Sequence, residues 1–232
     1  MRTFPLKLLD GYKGFRSAVS NKGTYEPGRL AREGQNPDIM VVACCDSRVT
    51  PELIFSADPG SLFVVRNIAN IIPPHVDDGR NMSTAAALEF AVQALRVKHI
   101  VILGHAHCGG IRAAVDGAAQ NALSEHDYLG RWIGLLGTQV MEDANLHAHD
   151  HDCDPVPAAG HDDVATRKYR AVEEAGIRAS LENLRSFSCV RQALAEGTLS
   201  LHGAWFDIEK GELWVMDGPS GEFHWTDGID FR

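Results

Sequence analysis

Three short runs of almost unbroken apolar residues limit the fold more than any other feature of this chain. They are Asp38-Ile-Met-Val-Val-Ala-Cys44, Ser61-Leu-Phe-Val-Val-Arg66 and His99-Ile-Val-Ile-Leu-Gly104. A strand with one wet face alternates apolar and polar residues. A run without alternation belongs to a strand covered on both faces, as in parallel sheets packed between helices. Helical patterns follow each run. Thr50-Pro51-Glu52 opens a short helix, with Thr50 as N-cap and Pro51 in the first turn. Ser83 to Val97 carries Leu88, Val92 and Leu95 along one face, and Gly109 to Val115 follows the third run directly. Strands alternating with helices predict an α/β fold with a mainly parallel central sheet.

The flanks are less regular. Leu8, Tyr12, Phe15 and Val19 recur at helical spacing, which predicts an amphipathic N-terminal arm over about 4–20. Asp127 to Glu142 reads as one helix with Leu129, Trp132, Leu136 and Val140 on its buried side, and Thr166 to Arg185 as another. Leu199 to Ile208 and Glu212 to Met216 read as a hairpin closed at Glu209-Lys210-Gly211. Between the long helices, 145–163 is polar, without period, and holds His147, His149, His151, His161 and Cys153. Such a stretch could gather metal, but its composition favours a solvated surface insertion. No repeat or linker divides the 232 residues, a length that suits one domain over 1–232.

Charge narrows the partners. With 22 basic and 31 acidic residues the net charge is −9, which argues against nucleic acid and against an anionic membrane surface. No apolar run approaches the ~20 residues of a membrane span, and the first residues lack a secretory apolar core. The expected compartment is the cytoplasm, where disulfides are a poor explanation for five cysteines.

Two clusters carry the chemistry: Cys44-Cys45-Asp46-Ser47-Arg48 and Gly104-His105-Ala106-His107-Cys108-Gly109-Gly110. Each stands where a predicted buried strand ends. The crevice beyond the carboxyl ends of such strands is where α/β sheets build sites. Cysteine and histidine are ligands that suit Zn²⁺, and three protein ligands with one open position is the catalytic pattern. His105 and Cys108 are three residues apart, so one turn of backbone can aim both at a single ion. Adjacent side chains on a strand point to opposite faces, so Cys44 and Cys45 cannot easily both be ligands.

These segments resemble the two signature segments of the β-class carbonic anhydrases. Phe63-Val-Val-Arg-Asn-Ile-Ala-Asn70 and Ala86-Ala-Leu-Glu-Phe-Ala-Val92 resemble that family too, and so, more weakly, do Ser180 to Leu184 and His202 to Asp207. The resemblance implies one zinc per chain held by Cys44, His105 and Cys108, with an Asp46–Arg48 pair beside it. It also implies an antiparallel edge strand on the parallel sheet and a homodimer as the smallest unit. The reaction implied is reversible hydration of CO2 to bicarbonate by zinc-hydroxide attack. Asp46 would accept from the zinc-bound water, and Arg48 would hold Asp46 ionised. Gln35, nine residues before Cys44, resembles a plant-type glutamine that donates to bound substrate. Phe63, Ile68, Phe90 and Gly109 match substrate-pocket positions, although plain packing explains the aromatic residues equally well. His107 stands ready either as a proton relay or as a simply exposed side chain. Arg66 matches an arginine that some bacterial members use in a regulatory bicarbonate site with a tryptophan and a tyrosine. Val41 and Phe206 stand at those two positions here, so a structural role for Arg66 at a subunit interface is expected instead. A CS2 or COS hydrolase on the same scaffold, and a non-catalytic zinc-binding or redox-sensing protein, are the alternative functions.

Overall fold

The three apolar runs become adjacent parallel strands, β1 (Ile39–Cys44), β2 (Leu62–Asn67) and β3 (His99–His105). The computed structural model describes residues 4–21, 27–77, 82–117, 123–147 and 164–226. Within them β4 (Ser200–Asp207), β5 (Glu212–Met216) and β6 (Phe223–Trp225) complete a six-stranded sheet in the order β2-β1-β3-β4-β5-β6. β4 pairs with β3 in parallel, whereas β5 and β6 add antiparallel. The sheet is therefore mainly parallel with an antiparallel edge, as the sequence implied, and the edge has two strands rather than one.

Burial explains two of the three unbroken runs, β1 and β3, whereas β2 lies at the sheet edge and is only half-buried, with Arg66 exposed, against the expectation of cover on both faces. Met40, Val42, Ile100 and Ile102 enter one core cluster with Leu88, Ile177 and Leu184. Their neighbours Val41, Ala43 and Leu103 enter another with Val49 and Ala204. Alternate side chains point to opposite faces, so each residue of these strands needs an apolar side chain. The helices are α1 (Leu6–Asn21), α2 (Pro27–Glu33), α3 (Pro51–Ile54), α4 (Met82–Glu89), α5 (Gly109–Val115), α6 (Tyr128–Ile133), α7 (Gly137–His147), α8 (Val164–Leu184) and α9 (Ser188–Ala195). α4 runs on into a π-helical turn at Phe90–Leu95. α8 lies close against the sheet because β3 and β4 present glycine to it. A Cβ on Gly104 would stand 2.7 Å from Ile177 Cδ1, and one on Gly203 2.9 Å from Ile177 Cγ2.

Several expectations need correction. The helix read over Asp127–Glu142 is broken: α6 stops at Ile133, a 3₁₀ turn covers Gly134–Leu136, and Gly137 at φ 69° starts α7 in a new direction. Thr50 precedes α3 but its side chain makes no capping bond. α2, α9 and β6 were not anticipated. The polar stretch 145–163 begins inside α7, and 148–163 lies outside the described residues. The N-terminal arm is helical as expected, with Leu6, Leu8, Tyr12 and Phe15 exposed along it.

Candidate metal centre

The register of the sheet brings the two clusters together. Cys44 is the last residue of β1 and His105 the last of β3, and these strands are neighbours. Both residues therefore reach the same carboxyl edge of the sheet.

Beyond Cys44 the chain leaves the sheet in a tight segment that Arg66 holds. Arg66 Nε donates to Cys44 O at 2.8 Å, and its Nη2 donates to Asp46 O at 2.6 Å and Val49 O at 2.7 Å. In that segment the Arg48 guanidinium grips the Asp46 carboxylate with two bonds, Nε to Oδ1 at 2.9 Å and Nη2 to Oδ2 at 2.7 Å. The Arg48 backbone N–H adds a third, 2.9 Å to Asp46 Oδ1. The guanidinium beside it holds Asp46 well below the usual carboxylate range. Nη2 also reaches His107 O at 3.2 Å, which links this segment to the second cluster.

In the second cluster His105 Nδ1 lies 2.8 Å from Ala106 O. A carbonyl only accepts, so Nδ1 carries the proton and Nε2 presents its lone pair. Nε2 is buried and has no hydrogen-bond partner among the described residues. His107 then takes the left-handed conformation at φ 56°. That turns the chain back and sets Cys108 at the head of α5. The ligand atoms of Cys44, His105 and Cys108 lie within 4.8 Å of one another, and all three residues are buried. The two sulfurs are 3.9 Å apart. Two zinc–sulfur bonds of ~2.3 Å at a tetrahedral angle would set them about 3.8 Å apart.

The donor chemistry fits a dication. A hydrogen bond from Cys108 lowers the Cys44 pKa to about 4, against the opposing effect of burial. Cys108 is pushed up, first because it keeps its proton in the hydrogen bond to Cys44, then by burial, and then because a second thiolate would meet the first. A dication held by Cys44 and Cys108 would remove that conflict, since both would then bind as thiolates. An orphaned buried imidazole nitrogen facing two sulfurs is a donor set that fits a metal ion.

The surroundings hold residues that sequence reasoning missed. Cys108 N–H donates to Glu173 Oε1 at 3.0 Å, and Trp205 Nε1–H donates to Glu173 Oε2 at 2.9 Å. Burial pushes the Glu173 carboxyl up to about 7. Its sequence signal is a pair of acidic residues, Glu173 and Glu174, inside an otherwise apolar stretch of α8, both buried. Ala69 N–H approaches Cys44 Sγ at 3.4 Å from a 3₁₀ turn after β2, and Trp132 Nε1–H donates to Ile68 O at 2.8 Å.

The remaining sequence candidates are spread more widely. Ile68 and Gly109 flank the cluster, since Gly110 packs on Ile68 and Gly109 opens α5. Phe63 and Phe90 pack on each other at 5.8 Å between ring centroids. Phe63 is level with Met40, four residues before Cys44, or about 13 Å along the strand at ~3.3 Å per residue. Gln35 is exposed in the connection between α2 and β1 and makes no hydrogen bond to the cluster among the described residues. His107 is exposed, 3.6 Å from Glu209 Oε2. Arg66 braces its own chain through three carbonyls. Val41 is fully buried in the core beside it.

Comparison with known proteins gives a consistent family. The family model for carbonic anhydrase matches residues 39–213. The carbonic anhydrase of Pseudomonas aeruginosa is 37% identical over 217 residues, covering 93% of this chain and 89% of that protein. Beta carbonic anhydrase 5, chloroplastic, of Arabidopsis thaliana is 33% identical over 219 residues. That match takes in 91% of this chain but spans only 61% of the plant protein's length. Among solved structures, the β-carbonic anhydrase CcaA matches with a TM-score of 0.76 at 29% identity, covering 95% of this chain and 91% of that one.

Proposed function

The chain belongs to the β-class carbonic anhydrase family, and from that premise we propose that it interconverts CO2 and bicarbonate at one zinc ion held by Cys44, His105 and Cys108. The observation that carries the reading is the buried, unpartnered His105 Nε2 facing two cysteine sulfurs. When bound, zinc supplies acidity, lowering the pKa of a coordinated water toward neutrality.

The chain's own residues do the rest. Asp46 stays ionised through its forked bond to Arg48, so at neutral pH it only accepts hydrogen bonds. A carboxylate in that state orients the attacking water and leaves its lone pair free for the carbon of CO2. Held by Arg48 on both oxygens, Asp46 would remain free of a metal bound by Cys44, His105 and Cys108. Ile68 and Gly109 supply an apolar and open approach, which suits a substrate with no net dipole. Phe63 and Phe90 pack on each other away from the cluster, and Gln35 makes no hydrogen bond to it among the described residues, so this chain's own cluster is read without them. The exposed apolar residues of α1, with Ile68 and Phe90, support a homodimer or higher homo-oligomer.

No described helix is long and apolar enough to cross a membrane. Cys44, Cys45, Cys108 and Cys189 are free thiols, which suits a cytoplasmic setting. Stopped-flow CO2 hydration run beside a CS2-hydrolysis assay tests the reading. Fast hydration that scales with bound zinc is expected. Turnover of CS2 alone assigns the scaffold to the hydrolase reaction, and activity toward neither substrate makes the centre non-catalytic.

A further inference from the structure

The loop that carries two of the three ligands contains an unfavourable backbone conformation. His107, between His105 and Cys108, has φ 56°, a region L-residues other than glycine seldom occupy. Three contacts hold the loop in that shape. Ala106 N–H donates to Phe206 O at 2.9 Å, Arg48 Nη2 donates to His107 O at 3.2 Å, and Cys108 N–H donates to Glu173 Oε1 at 3.0 Å. Only the last acts on the backbone of a ligand residue.

Glu173 is built for that task. It is 4% exposed, on α8, and both of its oxygens are occupied by N–H donors, Cys108 on one side and the Trp205 indole on the other. Trp205 is in turn fixed on β4. The Arg170 guanidinium lies 4.6 Å from its ring centroid and 4.1 Å from that of Trp214, and Arg170 Nε donates to Glu174 Oε1 at 2.9 Å. One carboxylate thus joins the ligand loop, α8 and β4 behind the sulfur of Cys108. With both oxygens engaged and no exposure to the crevice, Glu173 is placed to orient a neighbour rather than to exchange protons with substrate.

We infer that Glu173 is a positioning residue of the metal centre, fixing the Cys108 sulfur beside Cys44 and His105 through the Cys108 amide. This rests on the reading of the cluster as a zinc site. Partners that orient a ligand from outside the coordination shell typically change metal affinity by roughly 10–100-fold. Glu173→Gln keeps the volume but offers one acceptor oxygen to two N–H donors, and turns an NH₂ toward one of them. Trp205→Phe removes the competing donor.

The test is zinc affinity by competition with a chromophoric chelator, together with the thiolate-to-metal charge-transfer band of the Co²⁺-substituted protein. Glu173→Gln should weaken zinc binding by about 10–100-fold and shift the band. Trp205→Phe alone should change affinity by less than threefold. In the double variant the amide oxygen is free for Cys108, and most of the affinity and the parent band should return. Should Glu173→Gln not fold alone, the double variant is compared with Trp205→Phe, and matching affinities are expected. Parent-like affinity and spectrum in Glu173→Gln would overturn the inference, as would a loss that Trp205→Phe fails to restore. A parent protein that takes up neither zinc nor cobalt overturns the metal reading itself, and this inference with it.

Discussion

Arg66→Met is the perturbation that most directly tests how the catalytic segment is held. The methionine keeps the length and apolar stem of the arginine but donates nothing. Three carbonyls lose their partner: Cys44 O, Asp46 O and Val49 O. The bond to Asp46 O is exposed, so water replaces it at little cost. The bonds to Cys44 O and Val49 O are half-buried. A hydrogen bond to a charged donor contributes about 1.5–3 kcal/mol, and partial exposure puts both at or below the low end of that range. The sum is about 2–3 kcal/mol. For a chain of this size each kcal/mol moves Tm by about 2–4 °C, so a fall of about 4–12 °C is expected.

The functional effect should separate from the metal. Cys44 is anchored in β1 between two strands, so zinc should stay. Asp46 and Arg48 lie beyond the brace, and a misplacement of about 1 Å at reacting groups can cost about 10²-fold. The expected pattern is near-parent zinc content with kcat/KM down by tenfold or more. Arg66→Lys, a single point donor, should fall between parent and Arg66→Met. Urea unfolding at fixed protein concentration, zinc content and stopped-flow hydration read the three quantities. Stability within about 0.5 kcal/mol of the parent, with turnover within twofold, would refute the bracing argument.

Other substitutions examine separate links. Cys108→Ser should leave less than about a tenth of the parent zinc, because zinc centres of this kind are built on thiolate and imidazole; atomic emission on the purified variant measures it, and full zinc content sinks the ligand set. Arg48 depresses the Asp46 pKa, so the stabilisation this pair gives is complete above the ordinary carboxylate value and is lost as pH falls toward the depressed folded value. The gap in urea midpoint between parent and Asp46→Asn should therefore shrink from pH 7 to pH 3, and a gap that widens on acidification would contradict the assignment. A Cβ at Gly110 would meet Ile68 Cγ2 at 2.8 Å, Ala69 Cβ at 3.1 Å and Ile133 Cδ1 at 3.2 Å, whereas one at Gly109 meets nothing within 4 Å. Gly110→Ala should accordingly lose about 1–3 kcal/mol of stability and Gly109→Ala much less, and equal unfolding midpoints for the two variants would rule out the overpacking argument.

The parts of this protein that were legible in its sequence are those whose cause is local. Burial on both faces writes itself into consecutive residues, so β1 and β3 stood out as unbroken apolar runs, whereas β2, at the sheet edge, stood out by an equally unbroken run while only half-buried. The break between α6 and α7 did not, because the apolar period from Leu129 to Val140 continues through it and only Gly137 marks the change of direction. β6 has three residues, too few for any period to register.

The same distinction runs through the metal centre. Each proposed ligand sits at the end of an element, Cys44 closing β1, His105 closing β3 and Cys108 preceding α5, so strand and helix patterns placed them on one edge. What fixes their atoms comes from far away in the chain. Arg66 reaches back 22 residues to Cys44 O, Glu173 lies 65 residues after Cys108, and Trp205 lies 32 residues beyond Glu173. No periodicity reports such pairs. They betray themselves only as charges in apolar surroundings, Arg66 within β2 and Glu173 within α8. A buried charge must have a partner, so Glu173 announced an interaction without naming it, whereas Arg66 is exposed at the sheet edge and only its place in an apolar run drew notice. The fold supplies the name: β1 beside β2 gives Arg66 the carbonyls of the Cys44 segment, and α8 packed on Gly104 and Gly203 gives Glu173 the Cys108 amide. A glycine in each of two adjacent strands would thereby help to position Cys108 as a metal ligand, because a Cβ at either would press on Ile177 of α8, the helix that carries Glu173.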